Sequence, residues 1–176
     1  MGRGLIETCC LLSLGVGMVS LPGCNSSSKD EELEEFVVFQ SDLEGWEDWQ
    51  SWEVGTDPIE PGHLNGPRFV YLNELPPPGS TEFPVGTIII KTAPEGDDPT
   101  EWTVFAAVKR GGDYNLDGAI DWEWFGLMIS ETGNMLVEWR GPEPPADSNY
   151  LGHLGDEDAT ATSCNDCHMA AVDNDY

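Results

Sequence analysis

The chain has 176 residues, with 33 Asp+Glu against 7 Lys+Arg, for a formal charge of −26. This balance excludes nucleic acid as a partner, because phosphate binding needs basic residues to displace counterions; a dedicated anionic-membrane surface is excluded on the same ground. Hydrophobic residues make up 39% and aromatics 10%, with seven Trp, which is enough apolar surface for one folded domain rather than a disordered chain.

Met1-Gly2-Arg3-Gly4 precedes an apolar stretch that is densest from Cys9 to Leu21. The stretch is too short for a comfortable membrane span and sits at the extreme N-terminus, so residues 1–23 read as an export signal. It ends in Leu21-Pro22-Gly23-Cys24, which resembles the bacterial lipobox, where the cysteine is lipidated and becomes the new N-terminus. An ordinary signal peptide cut nearby is the alternative. The expectation is an exported lipoprotein of the bacterial cell envelope, facing the periplasm and touching the membrane only through a lipid on Cys24. Arg3 and Glu7 cancel, so loss of the leader leaves the charge unchanged. Residues 24–40 then form an acidic tether and lead-in, with a Ser26-Ser27-Ser28 triplet and a run of acids that favour a solvated, extended chain. The folded domain is expected over residues 41–176.

Within it, Ser41-Asp42-Leu43-Glu44 fits a capping box and predicts a short helix over 42–50, with Trp46 and Trp49 on one side. Three prolines and two glycines make 57–67 a loop. Strands are predicted over 68–72, 85–91, 102–109, 120–129 and 135–139 from their β-branched and aromatic content. Pro76-Pro77-Pro78 and two further proline-bearing stretches, 94–99 and 142–145, punctuate the gaps. Several strands at turn-sized spacing predict an α+β fold, predominantly an antiparallel β-sheet with a few short helices.

Five cysteines, at 9, 10, 24, 164 and 167, are too few and too unevenly spread for a disulfide framework. Two of them lie in Cys164-Asn165-Asp166-Cys167-His168, the Cys-x-x-Cys-His pattern of covalent c-type haem attachment. On a helical turn, side chains three apart face the same way. Each thiol then adds to one haem vinyl group, and the adjacent His168 meets the iron as its proximal ligand. An exported protein is in the compartment where such attachment takes place. Two other chemistries use the same residues: a zinc site completed by His63 or His153, and a thioredoxin-like redox pair, for which the usual βαβ context is absent.

In Thr87-Ile88-Ile89-Ile90-Lys91, alternation puts Thr87, Ile89 and Lys91 on one face. A lysine closing an apolar strand commonly acts as a solvated gatekeeper against aggregation. Several stretches, in order, point further. They are Arg68-Phe69-Val70-Tyr71-Leu72-Asn73, Phe83-Pro84-Val85-Gly86-Thr87 running on to Lys91, Val108-Lys109-Arg110-Gly111, Asp121-Trp122-Glu123-Trp124-Phe125, and the haem motif followed by Asp173-Asn174-Asp175-Tyr176. Together they resemble the cytochrome P-460 and cytochrome c-prime-beta family from about Ser41 onward. The resemblance implies a mostly antiparallel β fold, often homodimeric, with a five-coordinate haem c. In the P-460 branch a lysine is bonded to the edge of the macrocycle, and the branch oxidises hydroxylamine and handles nitric oxide; Lys91 falls at that lysine's position. The c-prime-beta branch shares the fold, lacks the cross-link and binds nitric oxide.

With His168 on one side, the opposite position on the iron decides between electron transfer, gas binding and catalysis. Met128, Met135, His63 and His153 are the candidate ligands there, while Trp122, Trp124 and Phe125 are either an apolar distal wall or plain sheet core. Hydroxylamine oxidation requires proton removal. Asp156, Glu157 and Asp158 are the candidate carboxylates, with Glu157 standing for the three, although each is equally a solvated surface charge in so acidic a chain. Asp113-x-Asn115-x-Asp117-Gly118-x-Ile120-Asp121 has oxygen side chains at alternate positions like the start of a calcium loop. Its last ligand position holds Trp124, so calcium is disfavoured and an Asp/Asn/Gly turn is expected. Three functions therefore stand side by side: a haem oxidoreductase acting on hydroxylamine or nitric oxide, a nitric-oxide-binding cytochrome without turnover, and a simple electron carrier. The acidic surface suits steering toward a basic redox partner protein, and equally suits solubility in salt.

Overall fold

The computed structural model describes residues 34–54, 67–146 and 163–175. The leader, Cys24, the tether as far as residue 33, His63, His153 and the carboxylates Asp156, Glu157 and Asp158 lie outside the described residues. Six strands run as one antiparallel meander in chain order: β1 (Gln50–Glu53), β2 (Phe69–Leu72), β3 (Ile88–Ala93), β4 (Thr103–Lys109), β5 (Trp122–Ile129) and β6 (Met135–Gly141). A single turn of helix, α1 (Cys164–His168), and a 3-10 segment (Met169–Asn174) follow. The architecture is the α+β, mainly antiparallel one that the strand spacing predicts. Among the described residues no helix is long and apolar enough to cross a membrane.

Three local expectations give way to pairing. The helix expected over 42–50 is two 3-10 turns, Gln40–Leu43 and Trp46–Asp48, separated by Gly45 in the left-handed region at φ +69°. Ser41 is not the cap; the Asp42 carboxylate accepts from the Phe39 N–H at 2.7 Å. β1, Gln-Ser-Trp-Glu, is exposed along its whole length and carries no alternating signal; it is a strand because Gln50–Glu53 pair residue for residue with β2. Lys91 does not close its strand. Pairing of Thr92 with Val104 and of Ala93 with Thr103 carries β3 two residues further.

One sheet face holds the main core. Ile88, Ile90, Val104, Ala106, Val108, Phe125, Leu127, Ile129 and Met135 interlock there with Val38, Leu43 and Trp46 from the N-terminal side. Trp46 meets the Tyr71 ring edge-on at 4.9 Å. The fold therefore begins upstream of Ser41: the Phe36 N–H donates to the Arg110 carbonyl at 2.7 Å, Glu35 bridges Gly111, and Val38 is 2% exposed. Phe36 and Val38 form a lid on the core while Val37 and Phe39 stay 39% and 69% exposed; burial of the two inward residues outweighs the solvated character of the acids before them.

Glu123 clasps this lid to the sheet. Its carboxylate is buried and accepts from Arg140 Nε and Nη2, both at 2.7 Å, and from Arg110 Nη1 at 3.5 Å. Arg140 Nη1 also donates to the Val38 carbonyl at 3.0 Å. Arg140→Met strands a carboxylate whose side chain is 3% exposed, so a loss of about 3 kcal/mol is expected in urea unfolding. Arg110, at 3.5 Å, offsets only part of that.

Candidate functional site

The second sheet face carries the chemistry-bearing residues. Directly paired residues on antiparallel strands project to the same side. Ile89, Ala107, Trp124 and Gly141 thus form one cross-strand row, and Lys91, Phe105, Gly126 and Trp139 form the next. The Trp139 indole lies over Gly126, where a Cβ would meet its Nε1 at 2.1 Å. Phe105 and Trp139 have ring centroids 6.4 Å apart.

α1 packs on this face. Ser163 opens it by accepting the Asp166 N–H at 3.2 Å, a serine cap with an acid three residues on. Cys164 packs with Ala119, Trp122 and Trp124. The His168 ring, four residues and about one turn further, lies 4.6 Å from the Trp124 ring at a tilt of 45°. Cys167 is on the same turn.

The turn is bolted down through Asn165, which is 6% exposed. Its Oδ1 accepts from Asn115 Nδ2, the Ala119 N–H and Trp124 Nε1, each at 3.0 Å. Its Nδ2 donates to Asn115 Oδ1 and the Pro142 carbonyl, both at 3.2 Å, and to Glu143 Oε1 at 2.6 Å. The amide can face only this way, because the Ala119 and Trp124 groups are donors alone. A Cβ on Gly118 would lie 2.0 Å from Asn165 Nδ2, so only glycine leaves room for the carboxamide.

The loop that cradles Asn165 is the Asp/Asn/Gly stretch from Asp113 to Asp121. Two of its side-chain oxygens are held within the protein: Asn115 Oδ1 accepts from Asn165 Nδ2 at 3.2 Å, and Asp121 Oδ1 accepts the Asp113 N–H at 3.0 Å. Asp113, Asn115 and Asp121 take left-handed φ of 59°, 60° and 71°, a conformation that Asn and Asp tolerate better than other side chains. Tyr114, under Arg110 at 4.3 Å, has its phenol raised above the ordinary value, first by burial and then by the charge of Glu123.

The far end of the segment after α1 is held as well. Asp175, in the left-handed region at φ 62°, places Oδ1 2.5 Å from Lys109 Nζ and accepts the Phe83 N–H on Oδ2 at 2.8 Å. Lys109 Nζ stands 5.2 Å from the Trp122 ring centroid and 4.0 Å from Asp121.

Comparison with protein-family models, with curated proteins and with solved structures gives no match for this chain.

Of the residues singled out in the sequence, Cys164, His168, Trp122, Trp124 and Lys91 share one face. By strand spacing and rise, Lys91 and Trp124 are about 12 Å apart at Cα, two strands across and two residues along. Phe125 and Met135 belong to the opposite face and the main core, both 1% exposed. That removes Phe125 from any distal wall and Met135 from the candidate ligands. Met128 lies on the site face further along β5, 40% exposed. Among the described residues no three His, Cys, Asp or Glu side chains converge as a metal cage. The fourth donors that zinc would need, His63 and His153, lie outside the described residues, as does Glu157.

Asn165, Asn115, Gly118, Glu143 and the Lys109–Asp175 pair were not legible as site residues. The loop's pattern of alternating oxygens had a readable signal, yet what it grips is a carboxamide of the motif helix. Ser163 also had one, in its cap spacing to Asp166.

Proposed function

We propose that this chain is an exported, lipid-anchored c-type haem protein of the cytochrome P-460 type, oxidising hydroxylamine or nitric oxide. The observation that carries the reading is the packing of the Cys164–His168 turn on the sheet face that bears Lys91, with the His168 imidazole beside Trp124. The residues fit a covalently held haem c. A thiol at Cys164 and an imidazole at His168 sit one turn apart, against a wall of aromatic and small apolar groups that suits a porphyrin face. When bound, the haem supplies one-electron chemistry and an open coordination position.

The chain's own groups do the rest. Cys164 and Cys167 fix the macrocycle, and His168 holds the proximal side. Ile89, Phe105, Ala107 and Trp139 exclude water, which strengthens any electrostatic interaction made there. Lys91 is the residue for a bond to the macrocycle edge. The net charge of −26 favours encounter with a basic redox partner protein.

One observation favours a second reading, a nitric-oxide-binding cytochrome without turnover. The two rows of the site face contain no carboxylate among the described residues, whereas hydroxylamine oxidation needs a base. The mass of protein matured alongside a cytochrome c maturation apparatus tests both. The expected result is the processed chain from Cys24, with its lipid, plus one haem, with the tryptic fragment containing Lys91 joined to the motif fragment through the macrocycle. A bare chain mass overturns the haem reading. A haem-bearing chain with Lys91 unmodified overturns the cross-linked branch and leaves the gas-binding one.

A further inference from the structure

We infer that Asn165 is a positioning residue for the proximal imidazole, acting through the indole of Trp124. The inference rests on the haem reading above and adds a residue that the Cys-x-x-Cys-His pattern leaves unspecified.

Three observations carry it. Asn165 points inward from the motif turn and is 6% exposed, although the neighbouring Asp166 is exposed. Its Oδ1 accepts from Trp124 Nε1 at 3.0 Å, which fixes the indole about its own long axis. The centroid of that indole lies 4.6 Å from that of the His168 ring, with 45° between the two planes. One amide therefore ties down both ends of a short mechanical loop: the backbone turn that bears His168, and the aromatic plate against which the His168 ring rests.

The remaining contacts make the amide stiff. Asn115 returns a reciprocal pair of hydrogen bonds, Ala119 donates its backbone N–H, and Glu143 accepts at 2.6 Å from the far side. A buried amide that is satisfied on both its oxygen and its nitrogen has one orientation, because any rotation leaves buried donors unmatched. The imidazole plane is thus set by packing that originates outside α1, in the 113–119 loop and in Glu143. Outer contacts of this kind orient a metal's ligands and tune the metal.

The test uses the full-length matured holoprotein and resonance Raman spectroscopy of its ferrous form. Trp124→Phe keeps a six-membered ring beside His168 and deletes the pyrrole ring with its N–H; Asn165→Ala deletes the acceptor. Both variants are expected to carry covalent haem by mass, and to show an iron–histidine stretching band that is shifted and broadened relative to wild type. The double variant is expected to shift no further than Asn165→Ala alone, because the link cut by Trp124→Phe already ends at Asn165. Should Asn165→Ala fail to mature, Trp124→Phe alone decides. A band of wild-type position and width in haem-loaded Trp124→Phe overturns the inference while leaving the haem reading intact. Additive shifts in the double variant overturn the route through Trp124. Absence of haem from the wild-type chain itself is the failure of the underlying reading, and the mass reports it separately.

Discussion

Gly118→Ala is expected to lower the melting temperature by roughly 10 °C and, on the proposed haem reading, to cut the yield of haem-bearing protein several-fold, although residue 118 is 46 positions upstream of Cys164. The added Cβ would stand 2.0 Å from Asn165 Nδ2 and 2.6 Å from Asn115 Oδ1, well inside van der Waals contact. Moving Asn165 aside strands two buried N–H groups, from Ala119 and Trp124. Each stranded group costs about 1–3 kcal/mol, on top of about 1–3 kcal/mol for overpacking. A total near 4 kcal/mol corresponds to roughly 10 °C for a domain of this size. Attachment suffers because the thiols are presented from a turn that the carboxamide anchors. Calorimetry and the ratio of haem absorbance to protein measure the two effects. Gly79→Ala is the control: nothing lies within 4 Å of its Cβ, so only left-handed strain of about 1–2 kcal/mol is expected. Equal losses in the two variants would refute the steric account.

The second large effect is expected at the Lys109–Asp175 pair. The side chains are 9% and 6% exposed, with Nζ 2.5 Å from Oδ1. Lys109→Met leaves a buried carboxylate holding only the Phe83 N–H, and a loss of about 3–5 kcal/mol is expected in urea unfolding. Asp175→Asn is expected to cost less. Asparagine still offers an oxygen to the Phe83 N–H, and Asp121 at 4.0 Å, 30% exposed, still faces the ammonium. Lys109→Met combined with Asp175→Leu is expected to recover part of the loss, because neither charge is then left buried alone. Fully additive losses would mean that the pair is not the unit that matters. The Lys109 variant should also open the segment after α1 to proteolysis, since Asp175 is its last anchor on the sheet.

Much of this molecule is local. Five of the six strands announce themselves through β-branched and aromatic runs bounded by proline and glycine, and consecutive strands then pair with their neighbours because short connections allow little else. The Cys164–His168 pattern is equally plain, since it lies in residue type and spacing, which need no partner to be read. Alternation placed Ile89 and Lys91 on one side of β3, and the pairing with Ala107 and Phe105 agrees.

What sequence order did not disclose depends on partners far along the chain. β1 has no periodicity of its own and exists through its register with β2. Gly45 can end a helix or divide two 3-10 turns, and it divides them here because Leu43 and Trp46 must both enter the core. Trp124 and Phe125 are adjacent and chemically alike, yet one lies under His168 and the other in the main core, since neighbours on a strand face opposite ways. The oxygen-rich stretch from Asp113 to Asp121 advertises a ligand without naming it. Of its side chains Asn115 pairs with Asn165, fifty residues downstream, and such a match is made by burial and hydrogen-bond geometry, quantities that arise only once the chain has closed on itself.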